Sequence, residues 1–146
     1  KVRELIFESG LYEVVLPPNF INSSNSNDLD GKLEMLLPMK DNIIWLSLKD
    51  NDVQDRHLKT IGQFVNLQKV ELEKNPITDK GIAEIIGIQS ITGLNLYQTK
   101  ITASSLDNFL KMKGLKRVYV WGTAITEDEV ARFAEKQNRP DIIKGM

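Results

Sequence analysis

The sequence contains no cysteine and only one histidine, and its formal net charge is −1 over 146 residues. Without cysteine the chain forms no disulfide, thiolate nucleophile, cysteine-ligated zinc site or covalent c-type haem attachment. Its near-neutral charge gives no general attraction for nucleic acid or for an anionic membrane. No apolar run approaches the roughly 18 residues that span a bilayer. We therefore expect no nucleic-acid partner and no membrane insertion by these residues.

Motifs for catalysis or metal binding are also scarce. The sole histidine, His57, lies in a charged run at a predicted helix start with no converging partner, so the sequence predicts an ordinary surface residue. The stretch 50–55 resembles the opening of a calcium loop but lacks the glycine and the glutamate that such a loop needs. Glu71 and Glu73 could mimic a carboxylate pair, but nearby lysines favour a surface charge lattice. We therefore predict no catalytic residue, no metal site and no cofactor.

What the sequence does contain is a repeat of fixed period. Four apolar segments begin 24 residues apart, at Leu46, Val70, Leu94 and Val118. Each has the alternating pattern of a short strand with one buried face. Each is followed by a residue whose amide or hydroxyl can bond the backbone of the turn and its neighbour. These turn residues are Asn51, Asn75, Thr99 and Thr123.

Between the strands, apolar residues three positions apart predict helices that return to the start of the next strand. The predicted buried sets are Leu58, Ile61 and Phe64; Ile82, Ile85 and Ile88; Leu106, Phe109 and Met112; and Val130 and Phe133. Thr78, Thr102 and Thr126 supply the chemistry of a helix start. We therefore predict an α/β fold, a right-handed solenoid of about four to five repeats with short parallel strands on its concave side and helices on its convex side.

The ends of the chain depart from the repeat. Residues 1–28 are predicted to form an extended N-terminal capping segment with two short strands, and residues 29–142 the repeats with a C-terminal capping helix. The first repeat is only partial, and it places Leu33, Leu36 and Met39 on one helix face. Residues 143–146 are a tail, and Ile142 and Ile143 either cover the open end or continue onward. The sequon at 22–24 is interpreted as a chance match.

The pattern over residues 43–126 resembles leucine-rich repeats, and Ile-Thr-Asp-Lys-Gly at 77–81 resembles their bacterial, ribonuclease-inhibitor-like branch. More narrowly, residues 10–14 and 118–123 make the chain similar to repeat domains of bacterial membrane proteins that carry a c-type cytochrome domain. That resemblance implies the cell envelope, periplasmic or membrane-anchored, rather than the cytoplasm, and a cytochrome c domain in the same full-length chain. A start at Lys1 rather than Met is consistent with a domain of a longer protein. The family supplies no catalytic residues, and no haem-ligating motif occurs here.

Outward-pointing side chains of stacked parallel strands form columns on one surface. Tyrosine, tryptophan and arginine in these columns are the residue types that dominate interface hot spots. The alternative is cross-strand packing that only stabilises the sheet. The candidate binding residues are Trp45, Lys69, Glu71, Glu73, Asn95, Tyr97, Arg117, Tyr119 and Trp121.

The sequence thus favours a non-catalytic protein–protein interaction module that binds an unidentified partner on its concave face. Alternatives are a structural spacer in an envelope protein, or a surface for carbohydrate or another ligand, or an enzyme, built on the aromatic residues. The interaction module predicts that Tyr97, Tyr119 and Trp121 are exposed and contiguous. The spacer predicts that flanking segments cover these rings, and an enzyme predicts a cleft with converging titratable groups.

Overall fold

The structure of the protein is a computed structural model that describes residues 2–4, 9–21 and 27–145. Its strands are β1 (Val2–Glu4), β2 (Tyr12–Val15), β3 (Ile43–Ser47), β4 (Lys69–Glu71), β5 (Gly93–Asn95), β6 (Arg117–Tyr119) and β7 (Asp141–Ile143). Its helices are α1 (Asn27–Leu36), α2 (Asp55–Ile61), α3 (Asp79–Ala83), α4 (Ser104–Lys111) and α5 (Glu127–Phe133), with a 3-10 turn at Leu37–Met39. The sequon at 22–24 and residues 5–8 of the N-terminal capping segment lie outside the described residues.

The seven strands form one sheet in the order in which they occur along the chain. β1 and β2 pair antiparallel, and every later pair is parallel. From β3 onward, paired residues on adjacent strands are 24 positions apart, so the register of the sheet equals the period of the sequence. One such row runs through Trp45, Lys69, Gly93, Arg117 and Asp141. The predicted α/β class with short parallel strands is therefore confirmed.

One face of this sheet is buried under the helices. Leu46, Val70, Leu94 and Val118 point into a single apolar cluster, where helix residues such as Leu58 join them. Consecutive helices from α1 to α4 contact each other, so they form a second layer beside the sheet. Burying each such leucine or isoleucine stabilises the fold by roughly 1.5–3 kcal/mol. Of the predicted core residues, Leu36, Met39 and Val130 are only partly buried.

Asparagine side chains tie consecutive turns together inside the core. The Asn75 Oδ1 atom accepts hydrogen bonds from the backbone N–H groups of Asn51 and Val53, each at 3.0 Å. Its Nδ2 donates to the carbonyl oxygens of Leu48 and Leu72 at 3.0 and 2.9 Å. Asn51 repeats the arrangement one turn earlier and accepts from Ile21 N–H at 2.8 Å. The two threonines at the later turns donate within their own turn instead.

A second set of hydrogen bonds links the helix starts. The Asp79 carboxylate accepts from the backbone N–H of Thr102 at 2.9 Å, from its hydroxyl at 2.6 Å and from the Ser105 hydroxyl at 2.5 Å. Asp55 binds Thr78 in the same way one helix earlier. Partial burial acts to raise the pKa of Asp79, but the hydrogen bonds from Ser105 and Thr102 outweigh it and the pKa is lowered. The acidic residue of one helix start thereby fixes the next.

The chain beyond α5 extends the sheet. The sequence left open whether Ile142 and Ile143 cover the open end of the repeats or continue onward. In the structure they belong to a seventh strand and pair with Val118 and Tyr119 of β6. The pairing continues the 24-residue register, and a strand rather than a helix is the last element among residues 27–145. No helix in the described part of the chain is long and apolar enough to cross a membrane.

Candidate functional site

The sequence-predicted binding residues lie on or directly beyond the strands, on the face of the sheet that the helices leave open, which we call the outer face. Alternation along each strand causes this, because Val70 is buried while its neighbours Lys69 and Glu71 point away from the core. Register then sets Glu71, Asn95 and Tyr119 side by side on adjacent strands. Lys69, Arg117, Tyr119 and Trp121 are exposed, whereas Trp45, Glu71, Asn95 and Tyr97 are half-buried and Glu73 is buried.

Most of these residues line one or both of two neighbouring depressions on the outer face. The basic groove, of about 450 Å³, is lined by residues that include Lys69, Glu71, Asn95, Lys116, Arg117 and Tyr119. The aromatic pocket, of about 430 Å³, is lined by Lys49, Glu73, Asn95, Tyr97, Tyr119, Trp121, Ile143 and Gly145. Because Asn95 and Tyr119 line both, the two depressions form one continuous surface.

Trp45 lies outside both depressions. Its ring is covered by the Lys69 ammonium, whose Nζ atom is 5.0 Å from the ring centroid, a distance suited to a cation–π contact. The structure therefore separates Trp45 from the other predicted aromatic residues. Its neighbours include Glu13 of β2, at a hollow of about 10 Å³ that is too small for a ligand group.

Three rings form the walls of the aromatic pocket. The centroids of Tyr97 and Trp121 are 5.3 Å apart and their planes are tilted by 46°. Tyr119 is 38% exposed and Trp121 is 45% exposed, so flanking segments do not cover them. The C-terminal Ile143 and Gly145 complete one side, which the sequence analysis missed. Carrying the 24-residue period onward from Tyr119 and Trp121 would have found both positions.

Glu73 contributes a buried carboxyl group to this pocket. Its residue surface is only 7% exposed, and its Oε2 atom has no hydrogen-bond partner within the described part of the chain. Burial raises the pKa of Glu73, although a hydrogen bond from its own backbone N–H opposes this rise. The charge of Glu71 adds to the rise, and the charges of Lys49 and Lys74 act against it. The interpretation of Glu73 as part of a surface charge lattice is therefore wrong. It failed because Glu73 lies just past β4, between Lys49 and Tyr97 of adjacent turns, where neighbours on both sides shield it.

The prediction that His57 is an ordinary surface residue is also wrong. The structure buries it completely, because it shares a face of α2 with Ile61, four residues on. Its Nδ1 atom accepts from the backbone N–H of Gln54 at 2.9 Å, and its Nε2 atom lies 3.3 Å from a carboxylate oxygen of Asp30. Burial lowers the pKa of His57, although the Asp30 charge opposes this. His57 thus lies between α1 and α2 within the helix layer, and its Nε2 atom makes no hydrogen bond among the described residues.

A third depression, of about 530 Å³, separates α4 from α5 on the helix layer. Its lining includes Asp107, Glu129, Arg132 and Lys136, so charges of both signs are mixed there. Unlike the aromatic pocket, it contains no buried polar side-chain atom that lacks a partner among the described residues. Nor do the described residues include a group of three histidine, aspartate or glutamate side chains placed to hold a metal ion. The outer face therefore remains the strongest candidate site.

No model of a known protein family matches the chain, and a search of curated proteins finds no similar sequence.

Proposed function

We propose that the chain is a leucine-rich-repeat solenoid that acts as a non-catalytic protein-binding module, with the outer face of its sheet as the concave docking surface. Strand order that follows the chain and a register equal to the 24-residue sequence period support the solenoid. A right-handed turn from strand through helix to parallel strand is the usual hand for such a connection. In repeat folds of this kind the exposed strand surface serves as an extended binding surface.

The observation that carries this proposal is the pair of exposed aromatic rings, Tyr119 and Trp121, beside the half-buried Tyr97. Exposed aromatic surface costs free energy in water unless a partner covers it. Tyr119 and Trp121 remain about two-fifths exposed although Ile143 and Gly145 lie beside them. A spacer would gain stability by covering these rings, so their exposure favours docking. Arg117, exposed one strand position before Val118, adds a polar anchor of the type found in interface hot spots.

The test uses a random peptide library displayed on phage and selected against the whole chain. We expect selected peptides to bind the wild type and to lose affinity by about 30-fold with Trp121→Ala, since a hot-spot residue contributes on the order of 2 kcal/mol. Met35→Ala is the matched control, because Met35 is 78% exposed on α1, away from the outer face. Peptides whose affinity is insensitive to Trp121→Ala but falls with Met35→Ala would refute the proposal.

A further inference from the structure

The aromatic pocket combines two features that usually exclude each other, a largely aromatic wall and a buried carboxylate oxygen that has no hydrogen-bond partner among the described residues. A buried polar atom that lacks a hydrogen bond costs roughly 1–3 kcal/mol, and more when it is charged. Such atoms are rare in native proteins, and each calls for a physical explanation such as a functional role or an ion that completes it. Glu73 lines the pocket between Tyr97 and Lys49, and its Oε2 atom is the unpartnered group.

We propose that this pocket binds the alkylammonium group of a lysine side chain from the partner protein, with Glu73 as the counter-charge and the three rings as walls. The inference rests on the proposed function, because it names the chemistry of the docking segment. A cation within about 6 Å of an aromatic face is attracted by the ring quadrupole, and the attraction is strongest for tryptophan. Tyr97, Tyr119 and Trp121 provide such faces beside the carboxylate.

The geometry of the carboxylate favours ammonium over guanidinium. Arginine recognition uses two parallel hydrogen bonds to both carboxylate oxygens, whereas lysine acts as a compact point charge. At Glu73 the unpartnered buried atom is a single oxygen, Oε2. The terminal torsion of a glutamate is soft, so a small rotation turns this oxygen toward an entering cation.

The protein's own Lys49 is the competitor for this position. Lys49 lines the same pocket, yet it forms no ion pair with Glu73 among the described residues. Its charge therefore opposes an entering cation without satisfying the carboxylate. Removing the Lys49 charge should strengthen the binding of an ammonium ligand and weaken the binding of an anionic one. The substitution Lys49→Gln therefore shows whether the ligand is positively or negatively charged.

The experiment is an NMR titration of the whole chain with N-acetyl-lysine methylamide, observed at the tryptophan indole N–H signals. The two tryptophans provide an internal control, because Trp121 lines the pocket and Trp45 does not. N-acetyl-norleucine methylamide, which has a similar chain without the charge, is the matched ligand. We expect a saturable shift at Trp121 with the lysine compound only, at least tenfold weaker binding for Glu73→Gln, and about two- to threefold tighter binding for Lys49→Gln.

Three results would overturn the inference: an equal response to the norleucine compound, undiminished binding by Glu73→Gln, or weaker binding by Lys49→Gln. Thermal unfolding of each variant verifies that it is folded. The selected peptides separate this inference from the proposed function. Peptides that depend on Trp121 but contain no required lysine would leave the docking surface standing and refute the ammonium pocket. Binding of the lysine compound without selection of any peptide would support the ammonium pocket and count against the peptide-docking surface.

Discussion

Replacing Asn75 by alanine should destabilise the protein more than any other single asparagine substitution at the turns. Asn75 is 2% exposed, and its side chain bonds the N–H groups of Asn51 and Val53 and the carbonyl groups of Leu48, Leu72 and Glu73. The Glu73 carbonyl also accepts from Asp50 N–H, so the substitution leaves four backbone groups unsatisfied. At about 1 kcal/mol for each group left unsatisfied, the loss is roughly 3–5 kcal/mol. That is a large part of the 5–15 kcal/mol that stabilises a typical domain.

Urea unfolding followed by tryptophan fluorescence measures this loss as a shift of the midpoint at constant slope. Asn66→Ala is the matched control, because Asn66 also links neighbouring turns, through one exposed bond of 2.8 Å to the Asp41 carbonyl oxygen, and should cost at most about 1 kcal/mol. Asn75→Thr should fall between the two, since Thr99 makes only the bond within its own turn. Equal losses for Asn75→Ala and Asn66→Ala would refute the role assigned to the asparagine links.

Three further experiments, which use five substitutions, test other contacts by chemical denaturation. Glu73→Gln should raise the free energy of unfolding at neutral pH, because it removes a buried charge. It should also remove a loss of stability that the wild type shows as the pH rises above 4.5, since a raised pKa favours the folded state only while the carboxyl is protonated. A double-mutant cycle of Asp79→Asn with Thr102→Val should give a coupling on the order of 1 kcal/mol, present above pH 3.8 and lost as the pH falls through the lowered pKa of Asp79. Gly31→Ala in α1 should stabilise by roughly 0.5–1 kcal/mol, whereas Gly114→Ala should destabilise, because its Cβ would lie 2.4 Å from a backbone oxygen; equal effects would contradict this packing.

The sequence predicted those features of the fold that repeat. A column such as Leu46, Val70, Leu94 and Val118 recurs in phase four times, so strand register and core membership follow from the period alone. The turn asparagines were likewise predicted to bond neighbouring turns, which Asn51 and Asn75 do.

The features that the sequence does not predict occur at individual positions and do not recur in every repeat. Glu73 and His57 are both charged or polar by type, and their burial follows from what lies above and below them in space. The bonds from Asp79 to Thr102 and Ser105 join residues 23 and 26 positions apart, and local helix-start rules address only the nearest backbone groups. Gly145 at the pocket wall has no side chain that marks a site, so only the 24-residue period carried onward from Trp121 indicates its position.

The most direct measurement of the central claim is the position of a bound peptide, obtained from intermolecular nuclear Overhauser effects with a selected, lysine-containing ligand. We expect contacts between the lysine Cε protons and the ring protons of Tyr97, Tyr119 and Trp121. Contacts to exposed apolar side chains of the helix layer or its connections, such as Met35 or Val65, with none to these rings, would contradict it.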